Sequence, residues 1–230
     1  MPNIVKNTTS PSLLDLIAPH SCRGCGRIGK VICERCKKNI LASHHNLCPL
    51  CKTAKTTELC KKCQAKTLPP TYVFSERSDL LSSLIYDYKY NSVRSLSRPL
   101  AEFLDYSLPM FDNRVYLVPL PTIDRHIRSR GLDHTYTIAK QLSRLHKNYR
   151  VAKLLLRNNS TIQVGANAKE RLAQAKTAYS LNPKITIDQS ATYILIDDVW
   201  TTGASMKSAL NLLQKTKVKS IVLAILAVSV

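Results

Sequence analysis

Acidic residues are scarce in this 230-residue chain, where 15 Asp and Glu stand against 34 Lys and Arg, a formal net charge of +19. The shortage points to polyanionic partners, namely nucleic acid, phosphorylated ligands or an acidic membrane face, or to a generally basic proteome. Aromatics make up 6% of the residues, which weighs against a broad base-stacking surface for single strands. The start, "MPNIVKNTTSPSLLDLIAPH", has no basic stretch followed by a sufficient apolar one, so no targeting segment is expected. The apolar end, "SIVLAILAVSV", is too short to span a bilayer and reads as a buried strand. A cytoplasmic protein without a membrane span is therefore expected. No helix-turn-helix segment is recognisable, which removes a transcriptional regulator of that kind. What remains is globular: 44% of residues are apolar and 21% charged.

Cysteine is absent after residue 63, and all eight lie in C-x-x-C pairs: Cys22/Cys25, Cys33/Cys36, Cys48/Cys51 and Cys60/Cys63. That spacing lets a tight turn aim two sulfurs at one point while backbone N–H groups soften the thiolate charge. A disulfide framework lacks a secretion signal, and a redox pair would not come in quadruplicate. The pairs therefore imply zinc, two ions, each closed by four thiolates and structural. Gaps of seven and eight residues within the first and last two pairs, against eleven between them, favour sequential grouping, with a cross-braced arrangement open. His20, His44 and His45 read as exposed loop residues rather than ligands. Lys37, Lys38, Lys52, Lys55, Lys61, Lys62 and Lys66 crowd these ribbons and suit a solvated or a phosphate-contacting face. "AKTLPPTYVF" reads as a stiff linker, which places a boundary near residue 70.

Beyond it, "SDLLSSLIYDYKY", "SLSRPLAEFLDYSL", "HTYTIAKQLSRLH" and "ASMKSALNLLQK" carry helical periodicity. "RVYLVPLP", "VAKLLL", "TYILI" and "SIVLAILAV" read as strands, and "TIQVGANAKERLAQAKTAYSL" as a long polar crossover with a short helical middle. Strands alternating with helices imply an α/β fold, a parallel sheet covered on both faces. Ligands of such sheets collect at the carboxyl ends of strands.

"YILIDDVWTTGAS" stands at such an end. Four apolar residues run into Asp197 and Asp198; then Val199 and the single tryptophan, Trp200, precede Thr201, Thr202, Gly203, Ala204 and Ser205. A Thr- and Gly-bearing turn before a helix exposes successive N–H groups where the helix dipole favours an anion. It suits a terminal phosphate monoester, and two adjacent carboxylates suit a vicinal diol. Together they suggest a ribose 5-phosphate.

The stretch resembles the 5-phosphoribosyl-1-pyrophosphate (PRPP) motif of type I phosphoribosyltransferases. "LVPLPTIDRHIRSRG" is similar to their pyrophosphate-side loop, which implies roles for Pro119, Leu120, Arg125, Arg128 and Arg130. "QVGANAKERLAQAKTAY" is similar to their mobile loop, with Gln163 and Lys176 in it. With four amino-terminal C-x-x-C pairs, the chain from Cys22 onward resembles the ComF family, competence-associated phosphoribosyltransferase-like proteins. The resemblance implies a double zinc ribbon over residues 1–70 and a phosphoribosyltransferase-like parallel sheet with helices on both faces over 71–230. It implies a glycosyltransferase acting on PRPP with Mg²⁺, or a PRPP sensor, in competence and DNA uptake. Asp197 and Asp198 would be catalytic, and single-stranded DNA and competence proteins would be partners. The alternative is a single-strand-binding competence factor without turnover. Three departures stand out: Leu132, Asp133 and His134 replace an aromatic and Asn-Gln; Ala173 and Lys176 replace Asn and Arg; and Trp200 replaces an aliphatic. Lys89 and Tyr90 read as packing residues, and no acceptor-base reader stands out.

Overall fold

A computed structural model describes residues 20–44, 47–53, 63, 68–76, 78–158 and 178–229. The chain forms two compact units, Met1–Ala42 and Ser43–Val230. In the first, strands β1 (His20–Ser21) and β2 (Ile28–Gly29) pair antiparallel and lead to helix α1 (Glu34–Ala42). Its buried side chains include Cys22, Cys33, Cys36 and Ile40, so thiols take a large share of a very small core.

The second unit is built on a five-stranded parallel sheet in the order β3-β9-β8-β4-β5. Its strands are β3 (Thr71–Glu76), β4 (Val115–Pro119), β5 (Tyr149–Val151), β8 (Thr192–Trp200) and β9 (Ser220–Val228). A two-stranded antiparallel ribbon, β6 (Leu155–Arg157) with β7 (Tyr179–Leu181), stands beside it. Parallel pairing requires crossovers, and helices supply them. They are α2 (Asp79–Tyr90), α3 (Ser97–Ser107), α4 (Asp124–Arg130), α5 (His134–Leu142) and α6 (Ala204–Lys215).

Alternation along the strands sends side chains to both faces. Val73, Tyr193, Leu195, Leu223 and Ile225 join Met206 and Leu210 of α6 in one core. Phe74, next to Val73, stacks instead on Phe103 of α3 at 5.2 Å between ring centroids. Tyr88 of α2 and His134 of α5 lock together: the Tyr88 hydroxyl donates to the His134 carbonyl at 3.1 Å, and His134 Nε2 meets the Tyr88 carbonyl at 3.1 Å. Leu132 and His134 thus stand at a structural joint, with Asp133 between them as the N-cap of α5, accepting from the Tyr136 N–H.

The expected parallel α/β sheet is present, and four of its details differ from the sequence reading. Thr71–Phe74, read as the end of the linker, lies in an edge strand that runs to Glu76, because β9 offers a partner from Leu223 to Val228. "VAKLLL" splits: Val151 ends β5, and Leu155 begins β6 in the separate ribbon. The Arg-rich segment is a short helix, α4, closed by Gly131 in the left-handed conformation. Strand β8 also continues past the acids to Trp200, since Val199 and Trp200 still pair with Ala227 and Val228.

Register places the site. Pro119, the last residue of β4, is level with Ile196, and the Leu120 N–H donates to the Ile196 carbonyl at 3.0 Å. The loop after β4 therefore opens beside Asp197. At the end of β8 the Trp200 indole turns into the core, with 3% of the residue exposed. Gly203 lies against it: a Cβ there would stand 2.2 Å from the indole, and φ is +73°. The turn requires glycine on both counts. Gly203→Ala is expected to cost at least about 2 kcal/mol. Combining it with Trp200→Phe should cost less than the two single changes added together, as measured by urea denaturation.

Candidate functional site

Asp197 and Asp198 lie on the central strand near its carboxyl end, and their carboxyl groups converge. Asp197 Oδ1 accepts the Asp198 N–H at 2.9 Å, and the charge of Asp198 acts on Asp197. Like charges this close cannot both be ionised cheaply away from water. Burial, then the Asp198 charge, pushes Asp197 up to about 8. Asp198 has a cation instead: Lys89 Nζ sits 2.8 Å from its Oδ2, with side-chain exposures of 20% and 12%. Lys89, read from the sequence as packing, is thus the charge partner of the acid pair. Its position in the last turn of an amphipathic helix gave no sign of that.

The turn that follows is open to solvent at Thr201, Thr202, Ala204 and Ser205, while Gly203 and Trp200 form its buried floor. The Thr202 hydroxyl accepts the Ala204 N–H at 3.4 Å. First-turn N–H groups have no partner within their own helix, so this mouth offers donors to an anion. Tyr179 belongs to β7, which packs against α6; its phenol is buried and feels the charge of Asp197. Burial holds its phenol above the usual range, so it stays a neutral hydroxyl. Arg157 Nη1 donates to the same phenol at 3.0 Å and reaches the Pro121 carbonyl at 3.4 Å. It therefore ties the β6–β7 ribbon to the loop after β4. This bracket escaped the sequence reading because its members are 22 and 36 residues apart.

Of the loop residues, Pro119 closes β4 and Leu120 is buried beside the acids. Arg125 and Arg128 are exposed on α4, which buries no residue. Arg130 is half-buried, its Cζ 4.6 Å from the centre of the Tyr90 ring. Gln163, Ala173 and Lys176 lie outside the described residues.

The cysteines assemble sequentially. The sulfurs of Cys22, Cys25, Cys33 and Cys36 all lie within 4.8 Å of one another, as do those of Cys48, Cys51 and Cys63. Cys25 and Cys33 are 3.7 Å apart, matching the ~3.8 Å edge of a tetrahedron with 2.3 Å Zn–S bonds. Each group begins with the same knuckle. Gly26 N–H donates to the Cys22 carbonyl, and Lys52 N–H to the Cys48 carbonyl, both at 2.8 Å. Gly26 and Lys52 both take positive φ, +73° and +59°.

Protons also report the crowding. Burial raises Cys22, but N–H groups of Cys33, Gly24 and Cys25 outweigh it and bring the thiol down to about 6. Burial and neighbouring thiols push Cys36 and Cys63 up to about 12. A dication would let every thiol ionise, so both clusters fit zinc. Neither His20 nor His44 joins a cluster; His44 stacks on Phe74 and bonds its carbonyl. Cys60 and His45 lie outside the described residues.

With this geometry in place, comparison with known proteins adds one point. The chain is 25% identical over 214 residues to Competence protein F of Haemophilus influenzae, an alignment covering 82% of this chain and 93% of that protein. The chain is a homologue of Competence protein F. The ComF resemblance is borne out by this relative and by cysteine clusters that fit a zinc ribbon. No family model matches the chain. Among the described residues, no helix is long and apolar enough to cross a membrane.

Two measurements test the site. An acid raised from about 4 to about 8 keeps its proton in the folded state where the unfolded chain has lost it, so stability falls as pH rises through that window. Asp197→Asn should therefore raise Tm by several degrees at pH 9 and change it little at pH 4; equal effects at both would refute the assignment. Cys36→Ser should lower bound zinc, assayed after acid release, by one equivalent per chain.

Proposed function

We propose that this protein binds PRPP with Mg²⁺ and transfers, or senses, its 5-phosphoribosyl group. The observation carrying the reading is that Asp197 and Asp198, near the carboxyl end of β8, lead directly into the open turn that starts α6. On this reading Thr201, Thr202, Gly203, Ala204 and Ser205 receive the 5-phosphate, through backbone N–H groups and hydroxyls. Asp197 and Asp198 accept from the 2′- and 3′-hydroxyls. As the bond to pyrophosphate lengthens, positive charge grows at C1′; the ionised Asp198 stabilises it, and Asp197 adds to that field once it gives up its proton. Pro119 and Leu120 shape the loop for the departing pyrophosphate, and Arg125, Arg128 and Arg130 neutralise it. Gln163 and Lys176 belong to the segment that excludes water, because hydrolysis competes with transfer. Carboxylates and phosphate oxygens are the hard donors Mg²⁺ takes, and the ion would supply charge compensation for the leaving group.

Within the same proposal, residues 1–70 form a double zinc ribbon, with Cys60 completing the second site and residues 71–230 acting as the catalytic or sensing domain. A second reading is favoured by the +19 charge and by the relative's name: a single-strand-binding competence factor without turnover. Its binding would fall steeply with salt.

Trp200, the single tryptophan, floors the proposed phosphate turn, so its fluorescence should change on adding PRPP with Mg²⁺. Asp197→Asn with Asp198→Asn should abolish that response and leave zinc content unchanged. An unresponsive indole in a protein that binds single-stranded DNA tightly would leave the second reading. Pyrophosphate release that depends on an added base would establish transfer.

A further inference from the structure

The transfer reading lacks a place for the acceptor, and α2 carries a surface that its own packing leaves unexplained. Its inner face is filled by Leu81, Leu84, Ile85 and Tyr88. On the outer face Tyr86 and Tyr90 are 55% and 56% exposed, four residues apart, with ring centroids 4.9 Å from each other. Single exposed tyrosines are ordinary. Here, however, Arg130 of α4 lies against the second ring, Cζ 4.6 Å from its centre. Among the described residues no carboxylate is within ion-pair distance of that guanidinium. The same last turn of α2 carries Lys89, the residue before Tyr90, whose ammonium touches Asp198.

We propose that Tyr86 and Tyr90, the second ring backed by Arg130, form the acceptor platform, on which a heteroaromatic nucleobase stacks with its nitrogen turned toward C1′ above the acid pair. The proposal rests on the PRPP reading above. Phenol rings and guanidinium planes present flat faces that hold a base by stacking and cation–π attraction. Stacking tolerates any base, so no hydrogen-bonding code was available in the sequence. The position fits the chemistry: α2 ends at the acids through Lys89, α4 follows the pyrophosphate-side loop, and an acceptor must reach C1′ between them. In the transfer, the base nitrogen's lone pair forms the N–C1′ bond while the C1′–O bond to pyrophosphate breaks. Pyrophosphate leaves with that electron pair, and the base sheds its proton to water.

The test uses the full-length zinc-loaded protein, with adenine, guanine, cytosine and uracil as probes. Saturation-transfer NMR and calorimetry are run with and without PRPP–Mg²⁺, and PRPP binding is followed separately by Trp200 fluorescence. At least one base should bind. Tyr90→Ala and Tyr86→Ala should each weaken it about 5- to 150-fold, the range for removing one stacking ring. Tyr90→Phe should restore binding, and PRPP titrations should stay within twofold of wild type. Both positions are exposed, so the variants should fold, and an unchanged Tm verifies it. If no base binds under either condition, or if binding survives both alanine variants, the platform is overturned. If bases bind through the tyrosines but PRPP gives no response, the PRPP reading falls and the platform stands as a base-binding surface. If (dT)15 binding depends on Tyr90 while free bases never bind, the surface holds single strands and the acceptor assignment is wrong.

Discussion

Two carboxyl groups brought together away from bulk water cannot keep two full charges, and the second unit is arranged around that limit. Lys89 compensates Asp198 through a 2.8 Å contact, and burial and the Asp198 charge push Asp197 well above the usual carboxylate range. Holding the lysine there requires α2 to end at the carboxyl edge of the sheet. The Tyr88–His134 interlock pins that end against α5.

Parallel strand register does the rest of the assembly. Because Pro119 is level with Ile196, and Val199 and Trp200 remain paired with β9, the loop after β4 and the turn after β8 open at the same edge. Arg157 and Tyr179 pull the base of the β6–β7 ribbon to that edge as well. Trp200 reconciles an unusual residue with a phosphate-type turn: the indole is buried beneath Gly203, so the exposed rim keeps its hydroxyls and N–H groups. The cysteine knuckles follow a separate logic, in which four thiols at tetrahedral spacing stand in for the core that a unit of 42 residues is too small to build.

Legibility followed the range of the interactions. The α6 helix was read at its observed bounds, because its apolar period and the glycine turn that starts it are local. The cysteine grouping followed from gap lengths. Thr71–Glu76 was missed because a short run after two prolines becomes a strand only when β9 lies alongside. "VAKLLL" was read as one strand because periodicity cannot show a change of partner. The low aromatic content concealed the Tyr86–Tyr90 pair, since composition counts rings and says nothing of their grouping.

By itself the sequence determined the residue types of the chemistry: thiol pairs, two adjacent acids, a glycine turn and an arginine-rich segment, each encoded within a dozen residues. Tertiary structure decided charge and partnership. That Lys89 faces Asp198, that Arg157 joins Tyr179, and that Arg130 lies over Tyr90 all depend on contacts between elements 22 to 109 residues apart. Such contacts arise when buried faces pack and strands take register, and no local pattern carries them.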